Sequence, residues 1–177
     1  MKTIQFIVVA ILLSISNNIY AQDKFEIQGQ NNTYIQENGS PGFYVIYNKN
    51  NIFTKSTPGY LYFEHTPSIS VGNKLVLDKL VKEHIAPYFK KHKGDFDSST
   101  GLKISLFSDI NGKIQDVRIA YPREIGILPI SVIENFEQAV LSSCVKLEFD
   151  NQKREFKGST WVGQYAPYSS ENLRNNK

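Results

Sequence analysis

The sequence predicts an α+β fold: a small antiparallel sheet with two helices packed on it, in the order helix–hairpin–helix–strand, preceded by an N-terminal β meander extension. Three observations carry this expectation. Apolar residues recur every three or four positions around 77–89 and again around 130–141, the spacing of one helix face. Between these stretches Leu102, Ile104 and Leu106 alternate with Lys103, Ser105 and Phe107, the pattern of a half-buried strand. Asp109-Ile110-Asn111-Gly112 then supplies a tight turn before the return run from Ile114 to Tyr121, and a hairpin in place of a βαβ crossover makes the sheet antiparallel.

Taken in order, Met1-Lys2-Thr3 brings one positive charge and Ile4 to Ile15 an apolar run. Ser16-Asn17-Asn18 then leads to Ile19-Tyr20-Ala21 and a polar Gln22. This is the layout of a secretory signal cut after Ala21. The run is about a dozen residues against the roughly 20 a bilayer span needs, so cleavage is favoured over an uncleaved anchor. With no Cys at the junction a lipid anchor is disfavoured, and the Ala-Gln junction resembles signals of Bacteroidetes-type bacteria. The expected location is therefore the periplasm or beyond, with no stable membrane insertion once the signal is removed.

Residues 22–70 read as a β-rich extension. Phe25-Glu26-Ile27 is a short strand, Gly39-Ser40-Pro41-Gly42 a turn, and Phe43–Tyr47, Asn51–Thr54 and Tyr60–Phe63 three strands of a meander that lies on or extends the following sheet. Residues 71–166 form the α+β domain. Its first helix carries Leu77, Leu80, Val81, His84, Ile85, Tyr88 and Phe89 on one face, with Pro87 breaking it near Ala86 and Gly94 stopping it. After the hairpin, with a bulge expected at Gln115-Asp116, Pro122 ends the return strand. The stretch from Pro129 to Ser143 is the second helix, striped by Ile130, Ile133, Phe136, Val140 and Leu141, with a cap expected at Ser131 or its neighbours. Val145, Leu147 and Phe149 alternate as an exit strand, Phe156 and Thr160 to Tyr165 make the last one, and residues 167–177 read as a polar tail.

Composition narrows the function classes. Net charge is +3 and acidic and basic residues are interleaved, apart from Lys90-Lys91-His92-Lys93. A solvated helix end complementing the helix dipole accounts for that run better than an anionic partner, so nucleic acid is not expected. Cys144 is the single cysteine, which excludes an internal disulfide, and its apolar neighbours predict a buried, inert thiol.

Over residues 75–165 the element order is similar to that of the TonB C-terminal domain. Gly101-Leu102-Lys103-Ile104-Ser105-Leu106 resembles that family's first strand, Asp109-Ile110-Asn111-Gly112-Lys113-Ile114 its turn, and Asp116-Val117-Arg118-Ile119 its second strand. Phe136-Glu137-Gln138-Ala139-Val140 and Lys146-Leu147-Glu148-Phe149 resemble its helix and aromatic exit. The resemblance implies an antiparallel scaffold whose last strand offers an open edge to an extended peptide of an envelope protein, which here falls on Thr160, Trp161, Val162 and Tyr165. The sequence departs from that family in lacking a long membrane anchor and a Pro-rich spacer, and Asp150-Asn151 follows Phe149 where a proline is common. A shared scaffold without a shared role is the simpler reading.

No catalytic constellation is legible. His65, His84 and His92 are scattered, and His84 and His92 would stand roughly 12 Å apart along a helix, too far to share an ion. Glu83-His84 is followed by Tyr88 at the position a metalloprotease helix needs for its second histidine. Asp95, Asp97 and Asp109 read as solvated loop carboxylates. The expectation is an exported, non-enzymatic binding module without metal or cofactor, its partner a peptide or envelope protein and its contact surface built from tyrosines and tryptophan (Tyr44, Tyr47, Tyr60, Tyr62, Trp161). The alternative is a secreted hydrolase whose carboxylates or histidines converge only in three dimensions.

Overall fold

The computed structural model describes residues 24–39, 42–55, 60–61, 69–91 and 101–175. The expected signal at 1–21, together with Tyr62, His65, His92, Asp95 and Asp97, lies outside the described residues. The elements run β1 (Lys24–Gln28), β2 (Thr33–Asn38), β3 (Phe43–Asn48), α1 (Ile52–Lys55), β4 (Tyr60–Leu61) and β5 (Ile69–Gly72). They continue α2 (Lys74–His84), α3 (Ala86–Lys91), β6 (Gly101–Ser108), β7 (Ile114–Pro122), α4 (Ile130–Ser142), β8 (Lys146–Phe149), β9 (Val162–Ser169) and α5 (Ser170–Asn175).

The fold is mixed α+β with a mostly antiparallel sheet. Its strands lie in the order β1-β2-β3-β7-β6-β9-β4, and among the described residues only β4 and β9 run parallel. The N-terminal strands are continuous with the hairpin, because β3 pairs with β7 in the register Tyr44↔Tyr121 and Ile46↔Ile119. Strands β5 and β8 form a separate two-stranded antiparallel sheet.

Strand alternation divides the main sheet into two faces. Gln36, Ile46, Ile119, Ile104 and Ala166 stand in one cross-strand row, each buried. Leu77 and Val81 of α2, Phe89 of α3 and Ile133, Phe136 and Val140 of α4 join Ile46, Ile119, Ile104 and Ala166 in one apolar core. The opposite face carries the row Ile35, Tyr47, Arg118, Ser105 and Tyr165. There Phe53 stacks on Phe107 at 4.3 Å and meets Tyr47 at 5.4 Å, and Trp161 meets Phe107 edge-on at 5.5 Å. These rings form a small second core roofed by α1. Arg118 lies 5.9 Å from the Tyr47 and Phe53 rings and 3.6 Å from Glu37, which also holds Lys24 at 3.1 Å.

Two buried glutamates fasten the first hairpin to α4. The Glu134 carboxylate accepts the Gln30, Asn31 and Asn32 amides of the β1–β2 turn at 2.7, 2.7 and 3.0 Å. One turn further on, Glu137 accepts the Tyr34 hydroxyl at 2.5 Å. Burial, the largest influence on Glu137, raises its carboxyl above the usual range against that hydrogen bond.

Several expectations are corrected. The Asn51–Thr54 run is helical at Ile52–Lys55 instead of extended, because the Asp116 carboxylate accepts the Ile52 amide at 2.6 Å and satisfies a helix-start donor. Strand β2 was not expected from its polar composition; it exists because β1 and β3 supply backbone partners on both sides. Residues 167–177 do not begin a tail: β9 continues to Ser169 opposite Gly101 of β6, and α5 buries Leu173. Helix α4 starts after Pro129 with no side-chain cap from Ser131. Cys144 is exposed, because Val140 and Val145 take the inward positions on either side of it. The bulge expected at Gln115-Asp116, by contrast, is where the sequence places it: Phe107 pairs with Asp116 and Ser108 with Ile114, which leaves Gln115 as the extra residue on β7.

Candidate functional site

Helix α2 buries Leu77 and Val81 and turns Lys74, Leu75, Lys79 and Lys82 outward. Its start is fixed by Asn73, which sits at φ 55° in the left-handed region and donates its side-chain amide to the Cys144 carbonyl at 2.7 Å. Asparagine is among the few non-glycine residues that adopt this conformation readily. The bond ties the helix entrance to the loop after α4 and sets which face of α2 looks toward β9.

That face forms one wall of a groove of about 550 Å³. Pro167 and Tyr168 of β9 form its floor side, and Asn172 and Leu173 of α5 close the far wall. Within it the Lys74 ammonium meets Asp78 at 2.6 Å and lies 4.8 Å from the centre of the Tyr168 ring. The Tyr168 hydroxyl donates to the same Asp78 oxygen at 2.8 Å. Burial pushes the Tyr168 phenol above its ordinary range, and the hydrogen bond and charge of Asp78 push in the same direction. The phenol therefore stays protonated and its proton is already committed. Lys79 pairs loosely with Glu83 at 3.7 Å, whereas Lys82 makes no ion pair among the described residues. Leu75 stands at the mouth with 84% of its surface exposed. Ammonium groups, a locked phenol and an apolar knob can hold and orient a ligand.

The residues expected to form an open edge sit elsewhere on β9. Thr160 is exposed before the strand begins, Trp161 is packed on Phe107, Val162 is fully buried and Tyr165 is half-buried. Strand β9 pairs with β6 along its whole length, and β4 covers its other side at Val162 and Gly163. The expected open edge is thus closed there by a returning parallel strand, and the outermost strands of the sheet are β1 and β4. Of the tyrosines expected to serve a contact surface, Tyr47 is buried and Tyr44 is half-buried against Tyr121 at 5.8 Å, while the Tyr60 side chain and Tyr62 lie outside the described residues. His84 rests edge-on against Phe136 at 6.3 Å, the core or boundary role its position implies. Asp109 accepts the amides of Asn111 and Lys113 and shapes the hairpin turn. Among the described residues no three His, Cys, Asp or Glu side chains gather as a metal site.

The groove was not foreseen in the sequence, although its signal is present: Leu75, Lys79 and Lys82 repeat at i, i+4 and i+7 on the side of α2 opposite its apolar stripe. What the sequence withholds is the wall across from them.

No known protein-family model matches the chain, and no curated protein matches it. Among solved structures, the crystal structure of a DUF5043 family protein from Bacteroides uniformis is similar, with a TM-score of 0.54 at 15% identity over 82% of this chain and 85% of that one. The likeness is one of fold: the α+β arrangement with its mostly antiparallel sheet is shared.

Proposed function

We propose that the protein is an exported, non-enzymatic binding module that holds a peptide or envelope protein in the groove between α2 and α5. The observation that supports this reading most directly is Leu75, a large aliphatic side chain 84% exposed at the mouth of a concave site and flanked by lysines. Burying such a side chain on a partner gains about 1.5–3 kcal/mol. The groove volume lies within the range of about 300–1,000 Å³ typical of ligand sites. Export rests on the layout of residues 1–21.

Site-directed photocrosslinking in envelope extract tests it, with the photoreactive residue at Leu75 and, as control, at Ile127, which is likewise exposed at 65%. A discrete adduct at Leu75 and none at Ile127 supports the reading. Equal labelling at both positions, or none at either, overturns it.

A further inference from the structure

We infer that the outer edge of β1 is a self-association surface, on which a second copy of the chain adds its own β1 antiparallel and joins the two main sheets into one. The inference is independent of the groove, which lies against β9 toward the other end of the sheet. Strand β1 is outermost and, among the described residues, pairs with β2 alone. The direction of its backbone groups follows from the neighbouring ladder. The Lys49 amide donates to the Thr33 carbonyl at 2.9 Å, so the Thr33 backbone faces β3, and by alternation so do those of Ile35 and Glu37. Tyr34 and Gln36 therefore face β1, where they meet Ile27 and Phe25. The Gly29 amide, donating to the Asn32 carbonyl at 2.8 Å, continues the same pairing. The amides and carbonyls of Lys24, Glu26 and Gln28 are left pointing outward, a half-ladder ready for an added strand.

The side chains select the strand that fits. Phe25 lies opposite Gln36 and ends the row that runs through Ile46 and Ile119, and it is 53% exposed. Lys24 and Glu26 stand on the opposite face, held by Glu37 at 3.1 Å and Lys49 at 2.7 Å but still about half exposed. An antiparallel neighbour that continues this alternation of charge puts an acid opposite Lys24 and a base opposite Glu26. Read in its own direction, such a strand is base, any residue, acid, which is Lys24-Phe25-Glu26 itself. Two copies thus meet about a two-fold axis at Phe25, each Lys24 opposite Glu26 of the second copy. Both pairs fall at hydrogen-bonded positions. The two Phe25 side chains meet at the non-bonded position between them, where Cα atoms approach to about 4.5 Å. A register centred on Glu26 sets that carboxylate against its own copy, and one centred on Ile27 forms no ion pair. Exposed ion pairs contribute little, so they set the register while the backbone bonds and the Phe25 pair carry the association. So few residues give a weak, reversible dimer.

Sedimentation velocity on the mature chain from Gln22, across about 5–500 μM, tests the inference. A concentration-dependent shift from monomer to dimer is expected. Glu26→Pro removes an outward amide and spares the β1–β2 ladder, so it should weaken the dimer at least about tenfold without changing the circular dichroism spectrum. Lys24→Glu and Glu26→Lys should each weaken it as well. An equimolar mixture of these two should regain dimer, because each supplies the charge the other lacks; this arm decides if the proline variant folds poorly. A monomer at every concentration overturns the inference, the result expected if the charges of β1 guard its edge against pairing. So does a dimer that folded Glu26→Pro leaves intact, or a mixture no more dimeric than either variant alone.

Discussion

Replacing Glu134 with Gln tests how the N-terminal hairpin is held. The Glu134 carboxylate is 3% exposed and receives three backbone amides from the β1–β2 turn, one on Oε2 and two on Oε1. Burial alone would push its carboxyl up and is the largest single influence; the Asn31, Gln30 and Asn32 amides together outweigh it and hold the carboxyl below its usual range. A glutamine keeps one oxygen and places an N–H donor where the other stood. At least one charge-assisted bond is lost and a donor faces a donor, so the expected cost is about 3 kcal/mol, with Glu134→Ala at about 4 kcal/mol. Urea denaturation reads this as a lower midpoint at an unchanged slope. The acid limb provides a second signature. Because the folded-state pKa is lowered, the stabilisation is complete above the unfolded value near 4.3 and is lost as pH falls through the folded one, so the Glu134→Gln deficit shrinks on acidification. A loss under about 1 kcal/mol, or a deficit that does not change with pH, would refute the reasoning.

Three further outcomes follow from the same structure. Tyr34→Phe removes the hydroxyl that Glu137 accepts, at a cost of about 1–3 kcal/mol. That bond favours the ionised carboxylate, whose pKa burial raises, so the deficit grows as pH rises through the folded Glu137 value, measurable in urea melts at two pH values. Gly112 sits at φ 84°, where a Cβ would fall 2.0 Å from the Leu147 carbonyl oxygen, so Gly112→Ala should cost about 3 kcal/mol and lower Tm by about 10 °C in a thermal melt. Cys144 should react stoichiometrically with a thiol reagent under native conditions, and labelling only after denaturation would contradict its exposure.

How much of the fold was legible depended on whether an element's own residues specify it. Helix α4 and the β6–β7 hairpin carry their periodicity in their own side chains, and both appear within a residue or two of the expected bounds. The break at Ile85, between α2 and α3, follows from Pro87, whose missing amide is tolerated only in the first turn of a helix. By contrast, β2 reads Thr-Tyr-Ile-Gln-Glu-Asn and contributes only Tyr34 and Gln36 as buried side chains. Its strand character comes from backbone partners on β1 and β3 that its own residues do not announce, and β3 is held in turn by β7, some seventy positions further along the chain. Cys144 was misplaced for a related reason: an apolar neighbourhood in sequence does not say which side of the chain faces inward once a helix has ended.

The candidate site shows the same division between what a helix states and what tertiary structure adds. That Leu75, Lys79 and Lys82 share a face follows from 3.6 residues per turn, but a lysine face alone is most often a solvated one. It becomes a groove because β9 runs past the point where its composition turns polar, carrying Tyr168 to Asp78 and Lys74, and because Leu173 of α5 is drawn into the core beside it. Residues 167–175 look like a dispensable end in the sequence, yet they supply an entire wall. The closed state of β9 at Val162 has the same origin, since a two-residue parallel pairing with β4 carries almost no signature of its own. Both the loss of the expected strand edge and the gain of the groove therefore come from β9: β4 covers one end of it, and its other end, with α5, walls a concave site against α2.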